Sequence, residues 1–407
     1  MNHCAHIRKH RPVAVRYRWL ACALAIVLSA LMPAAAQSDT ARIEPLPRLT
    51  AALLTCSPGQ ETYEVYGHTA LLVRDTQGES LAYNYGVFSF SDPDFGRRFV
   101  LGQPDYWLAV QWAPAFLTDY VAAGRGVVAQ RLRLTGAQAV RLDSLLRDNA
   151  LPDNRVYRYN VFTDNCTTRA LRMLQQVLGD SLMFDTDGMP PATYRSLLHA
   201  HLSDRPWQRL GQDLLLGAAA DTLLSAEAER AFPLTAQKWL RRAYVRADGR
   251  WQPLVETEDT LVEPAPRSDG GAWLSPMAAI LFLLLVALFV SHRERAGRRV
   301  AATCFDALFY LLLAAGGCVV AFLFFCSEHP TVGSNWLISL FSPIAFVLLA
   351  LRLWSHRSRG AVRGVALVGA LMLCGFAVGA FFQNFPPETF VLALILLIRI
   401  LSPLTAK

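Results

Sequence analysis

The chain has 407 residues, 53% of them hydrophobic, with a mean hydropathy of +0.27 and a formal charge of +7. That is too apolar for a purely soluble protein, and the excess lies after Trp273, while Gln37 to Gly271 has ordinary globular composition. Much of the positive charge sits in the leader and in basic clusters between apolar spans. Membrane topology explains that distribution, and it is not the signature of a nucleic-acid partner.

Met1 to Ala36 reads as a secretory signal peptide. Arg8, Lys9, Arg11, Arg16 and Arg18 form its basic region, Trp19 to Met32 its apolar stretch, and Ala34-Ala35-Ala36 its cleavage site. An uncleaved anchor is the competing reading. Cys22 follows Leu20 and Ala21 but opens the apolar stretch instead of closing it, which argues against a lipobox.

Residues 37–245 are expected to form one exported domain with a real core. Gly67 to Arg74 predicts a strand, Asp75 to Glu79 a turn, and Ser80 to Phe90 the returning strand. Val127 to Leu134 predicts a third strand, and Thr135 caps a helix to about Asp148. Pro191 to Val245 is mostly helical in pattern. Residues 246–272, polar and carrying Pro253, Pro264 and Pro266, predict a linker to the membrane. Five apolar spans follow, at about 273–291, 303–325, 337–354, 364–382 and 389–404. Arg399, near the end of the last, is expected to snorkel to the interface. The basic loops, His292 to Arg299 and Arg352 to Arg363, belong in the cytoplasm, and the loops at His329 and Gln383 to Glu388 on the side of the exported domain.

The chemically informative stretch is Val156 to Leu174. Its first half alternates like a strand. Its second half carries Ala170, Leu171 and Leu174, then Val177 and Leu178, at helical spacing. With Asp164 or Asn165 as N-cap, Cys166 falls in the first turn, where the helix dipole favours a thiolate. A nucleophilic cysteine needs a base and a group that orients the base. His68, opening an apolar strand, is the candidate base. Asn84 and Asp164 are alternative third members. The rival reading is a disulfide: only Cys56 and Cys166 of eight cysteines fall in the exported domain, and the turn after Cys56 suggests a surface position.

In order along the chain occur Pro58-Gly59, Tyr66-Gly67-His68, Tyr83 to Phe88, Phe95, Gly102, Tyr106-Trp107-Leu108 and Asp164 to Arg169. Pro206-Trp207, Leu216-Gly217, Asp221, Phe232-Pro233, Glu328-His329-Pro330 and Asn335-Trp336 follow, more loosely. This ordered set resembles the Lnb family of bacterial lipoprotein N-acyltransferases. The resemblance implies an α+β fold: a permuted papain-like (NlpC/P60-like) exported domain, then an α-helical multi-span membrane domain over 273–404. It implies Cys166 as nucleophile and His68 as base, in an enzyme moving an acyl chain from a glyceryl ester to a lipoprotein's N-terminal amine. Tyr66, Tyr85, Trp107 and His329 are the expected substrate-binding residues. The run Tyr106-Trp107, Trp112 and Phe116 either dips into the membrane interface or is ordinary core. The expected partners are bacterial lipoproteins and membrane phospholipid at the inner membrane, with the catalytic domain in the periplasm and no metal, cofactor or nucleic acid. A cell-envelope cysteine peptidase or amidase, and a non-catalytic lipid-binding membrane protein, are the alternatives.

Overall fold

The computed structural model describes residues 49–266, 274–355 and 357–405, so the signal-peptide reading of residues 1–36 lies outside the described residues. Strands β1 (Thr50–Cys56), β2 (His68–Arg74) and β3 (Ser80–Val87) form an antiparallel meander. Helix α1 (Phe95–Val100) leads into β4 (Asp105–Trp112), α2 (Ala113–Ala122) into β5 (Val127–Leu132), and α3 (Gly136–Asn149) into β6 (Val156–Arg158). Helix α4 (Cys166–Leu178) and β7 (Leu182–Phe184) precede a helical region of α5 (Tyr194–His201), α6 (Pro206–Leu215), α7 (Ala226–Glu229) and α8 (Pro233–Leu240). Strands β8 (Ala243–Ala247), β9 (Arg250–Pro253) and β10 (Val255–Val262) close the domain.

The main sheet has the order β10-β5-β1-β2-β3-β4-β6, and its neighbouring strands pair antiparallel. Successive side chains of a strand take opposite faces. Leu53, Leu71, Val73 and Tyr83 therefore pack with Leu142 and Leu146 of α3 and Ala170 and Leu174 of α4. Leu54, Cys56, Ala70 and Leu72 take the other face with Phe116 of α2. Burial on both faces is why β1 and β2 read as continuous apolar runs. Each fully buried leucine stabilises the fold by about 1.5–3 kcal/mol. The predicted cap of α3 forms as a capping box, with Thr135 and Gln138 each bonding the other's backbone N–H.

The stretch expected to be linker is mostly sheet. Asp248 and Gly249, both at positive φ, make the two-residue turn of the β8–β9 hairpin. Strand β10 then pairs with β5 as an edge of the main sheet. Its exposed Glu256 faces Arg131 at 3.3 Å and Arg133 at 3.4 Å.

Five helices follow: α9 (Pro276–Arg295), α10 (Arg299–Cys326), α11 (Ala345–Trp354), α12 (Arg359–Gly379) and α13 (Pro387–Thr405). All but α11 are long and apolar enough to cross a membrane. The third expected span, 337–354, is a broken segment, with a 3-10 turn at Trp336–Ser339, the pair Ser342-Pro343, and only then α11. At 1.5 Å per residue α11 covers about half of a ~30 Å bilayer core. The non-helical part is tolerated because it is wrapped in protein: Leu337 and Leu340 are fully buried against the neighbouring helices.

Arg399 does not snorkel. It is buried among the helices, donating to Glu294 (2.8 Å), Asp306 (2.6 Å) and Ser291 (2.5 Å). Arg352 donates to the same two carboxylates, at 2.6 and 2.5 Å. Four buried charges thus close one ring across α9, α10, α11 and α13. Arg299, Arg357, Arg359 and Arg363 line a cavity of about 580 Å³ at this end, so both basic loops lie together. The loops at His329 and Asn384 lie at the other end, against the sheet domain.

Candidate functional site

Cys166 is the first residue of α4. Asn165, not Asp164, is the cap: its Oδ1 accepts from the N–H groups of Thr167 (2.8 Å) and Thr168 (2.9 Å). Its Nδ2 donates to the carbonyls of Val161 (2.8 Å) and Ala231 (2.9 Å), which ties the helix start to the segment before α8. Asp164 is occupied elsewhere. It accepts a bidentate pair from Arg169, both bonds 2.8 Å, and a third bond from Arg172. Its side-chain hydrogen bonds thus go to these two arginines and not to His68.

His68 opens β2, and its Nε2 meets Asn84 Oδ1 across the hairpin. An amide oxygen only accepts, so Nε2 carries the proton and Nδ1 keeps a lone pair. Asn84 is itself held, donating to Gln111 at 3.2 Å, and Gln111 donates to Asp119 at 3.4 Å. Sequence reasoning missed Gln111, because only the β3–β4 pairing brings it near Asn84.

Burial pushes the Cys166 thiol up, but the His68 ring, the Thr69 N–H and the Thr167 hydroxyl outweigh it and hold the thiol below its ordinary range. Thr167 and Thr69 hydroxyls bond each other at 3.0 Å, pinning the helix start to β2. Gly86, at φ +90°, leaves the space in front of the thiol: a Cβ there would lie 3.4 Å from Cys166 Cβ and 3.9 Å from His68 Cε1. Cys56 is the contrasting thiol. It is buried, not at the surface, and burial pushes it up to about 12. Both cysteines are free, and they belong to the clusters on opposite faces of the sheet.

Of the four expected substrate residues, Tyr85 shares the buried cluster of Cys166. Tyr66 donates to Gln212 of α6 at 2.5 Å and packs its ring on His201 and Phe232. Tyr85 is fully buried against Tyr157. Tyr106 and Leu108 take the face of the sheet that carries α4, so strand alternation puts Trp107 on the other face. Tyr106 and Phe116 are core, whereas Trp112 is exposed.

His329 Nε2 donates to the Phe99 carbonyl at 2.8 Å, and its ring lies against the Phe99 ring. Its hydrogen-bond partner is thus on α1 and not at Cys166. The whole loop docks there: Ser327 donates to Val100 O (2.9 Å), Glu328 N to Leu101 O (2.8 Å), and Gln103 to Glu328 (2.5 Å). Gly102 permits the approach, since a Cβ on it would stand 2.7 Å from His329 N. A second contact joins the helical region to the outer loops. Gly217 N donates to Thr331 O, Asn335 and Gln383 donate to the carbonyls of Leu214 and Leu216, and Asn384 donates to Asp221. Asp221 also pairs with buried Arg195 at 2.6 Å.

Among the described residues no group of three or more His, Cys, Asp or Glu is placed to hold a metal ion. Two family models match the chain, the Lnb N-terminal periplasmic domain over residues 36–200 and the Lnb transmembrane domain over residues 268–407. No curated protein and no solved structure matches it.

Proposed function

The chain belongs to the Lnb family, a multi-pass inner-membrane protein with a periplasmic N-terminal domain, and on that premise we propose that it is a thiol-dependent acyltransferase. It moves an acyl chain from a glyceryl ester, of a lipoprotein or a phospholipid, to the amino group of a lipoprotein's N-terminal cysteine. The observation that carries this reading is the placing of Cys166, at a capped helix start, beside His68, whose far nitrogen is engaged by Asn84.

The steps follow from those groups. His68 Nδ1 takes the thiol proton, and the thiolate attacks the ester carbonyl. The tetrahedral oxyanion forms beside the helix start, whose N–H dipoles favour negative charge. Collapse breaks the C–O bond, His68 returns the proton to the leaving glyceryl oxygen, and a thioester remains on Cys166. The acceptor amine then attacks the thioester, His68 takes its proton, and the free thiol is regenerated with an amide as product. Asn84 keeps the ring in the required tautomer throughout. Docking of the outer membrane loops on α1 and α6 holds this chemistry at the bilayer surface, where the lipid ester resides. That placement favours lipid chemistry over a peptidoglycan-directed peptidase.

Mass spectrometry of lipoprotein N-termini tests the proposal in cells with and without the chain. N-acylated, lyso-form termini are expected with the wild type and absent with Cys166→Ala at equal expression. The same termini in the Cys166→Ala strain overturn the mechanism.

A further inference from the structure

Between α1 and the outer part of α10 lies a groove of about 490 Å³, walled by Phe99, Val100, Leu215, Val319 and Phe322. His329 is a polar side chain on its wall, and that ring's Nε2 is already committed to the Phe99 carbonyl. One wall belongs to a membrane span and the other to the periplasmic domain. Val319 and Phe322 are exposed on the span, and Phe99 and Val100 are exposed on α1 beside them. Apolar surface of this kind stays open only where something apolar covers it.

The groove is continuous with a patch of aromatic rings leading away from the membrane. Phe99 packs on Phe95 (6.0 Å between centroids), Phe95 stacks on Phe88 (5.0 Å), and Phe88 meets Phe90 (5.0 Å) and Tyr63 (5.5 Å). Phe90 is 70% exposed and Tyr63 54%, so the outer side of the patch is open. Phe88 lies two residues past Gly86, whose missing side chain borders Cys166. One end of this surface therefore opens on lipid, and at the other Phe88 packs against the buried cluster that holds Cys166.

We infer that the groove and the aromatic patch together hold a long acyl chain of a membrane lipid, its carbonyl at Cys166 and its tail in the groove. The inference rests on the acyl-transfer reading and assigns that reaction a chain-binding site. A chain lying in the groove buries its methylenes against carbon walls. A peptide or a headgroup would bring polar groups that these carbon walls leave without partners.

The experiment uses the full chain carrying Cys166→Ala in phosphatidylethanolamine and phosphatidylglycerol vesicles, so that binding is read without turnover. One arm contains a phospholipid with a diazirine in mid-chain, and the other a diacylglyceryl lipopeptide bearing the same group. After irradiation, peptides containing Tyr63 and Phe90 should be labelled together with those containing Phe99 and Phe322. The arm that labels Tyr63 and Phe90 names the donor. Val100→Trp, which fills the groove, should cut labelling of Tyr63 and Phe90 roughly tenfold, the loss expected when about two methylenes can no longer be buried. Lipid around the spans also reaches Phe322 and Leu285, so labelling confined to such span residues overturns the inference. So does labelling of Tyr63 and Phe90 that Val100→Trp leaves unchanged. Failure of the acyl-transfer reading is seen separately: Tyr63 and Phe90 would be labelled while wild-type chain yields no N-acylated termini.

Discussion

Asn165→Ala is the sharpest test of how the fold makes the site. The substitution deletes the acceptor that caps α4 at Thr167 and Thr168 and both donors that hold the Val161 and Ala231 carbonyls. Loss of an N-cap costs about 1 kcal/mol. Each of the two lost amide bonds adds about 1 kcal/mol, because the side chain is 4% exposed and water does not replace it freely. The expected sum is about 3 kcal/mol, or roughly 6–12 °C in melting temperature for a domain of this size. Asn165→Ser keeps the cap and loses only the donors, so it should recover about 1 kcal/mol of that. Thermal unfolding of the full chain in detergent, followed by tryptophan fluorescence, measures all three proteins. The reasoning is refuted if Asn165→Ala melts with the wild type, or if the serine variant is no better than alanine.

The other predictions concern the base, the topology and the buried charges. Cys166 has a depressed pKa, so its thiolate persists below the ordinary thiol range and is lost as pH falls through that lowered value; alkylation rate against pH should show this. His68→Ala removes the ring that favours the thiolate and should move the alkylation midpoint upward; an unmoved midpoint excludes His68 as the cause. Truncated reporter fusions after Arg299 and after Arg359 should report cytoplasm, and one at Gly333 the periplasm; the reverse pattern contradicts the docking of the outer loops. Arg399→Met leaves buried carboxylates one cation short and should cost about 3–5 kcal/mol. Adding Glu294→Gln restores neutrality and should recover part of it, as thermal stability in detergent would show.

The residues that bear the site were readable because local rules decide them. A cap residue followed by a helical apolar pattern put Cys166 at a helix start, and an apolar run after His68 made a strand. What pairs with what was less legible. Asn84 and Asp164 stood equal in sequence; Arg169 and Arg172, about one and two helical turns onward, claim the aspartate, while Asn84 meets the His68 ring. Strand β10 escaped notice because it is a solvated edge, where charge replaces alternation. Its neighbouring hairpin did leave a signal, Asp248-Gly249, which the prolines around it masked. The broken third span is hidden from hydropathy, since Ser342-Pro343 changes the backbone and hardly changes the average. Arg399 looked like an end-of-helix cation because its partners Glu294 and Asp306 lie on other helices, about a hundred residues earlier.

That separation bears on how the chain is made. Ribosomes deliver the N-terminal helices first. The α9–α10 hairpin therefore enters the bilayer with Glu294 and Asp306 before either of the two arginines that pair with them in the finished bundle. Arg352 arrives 46 residues after Asp306, and Arg399 93 residues after it, on α13. Until then the nascent bundle holds a carboxylate that lipid cannot solvate, and it stays open at that edge. Closure of the bundle therefore waits for α13, and a chain cut short before Arg399 displays an acid short of its partner to whatever protease patrols the membrane.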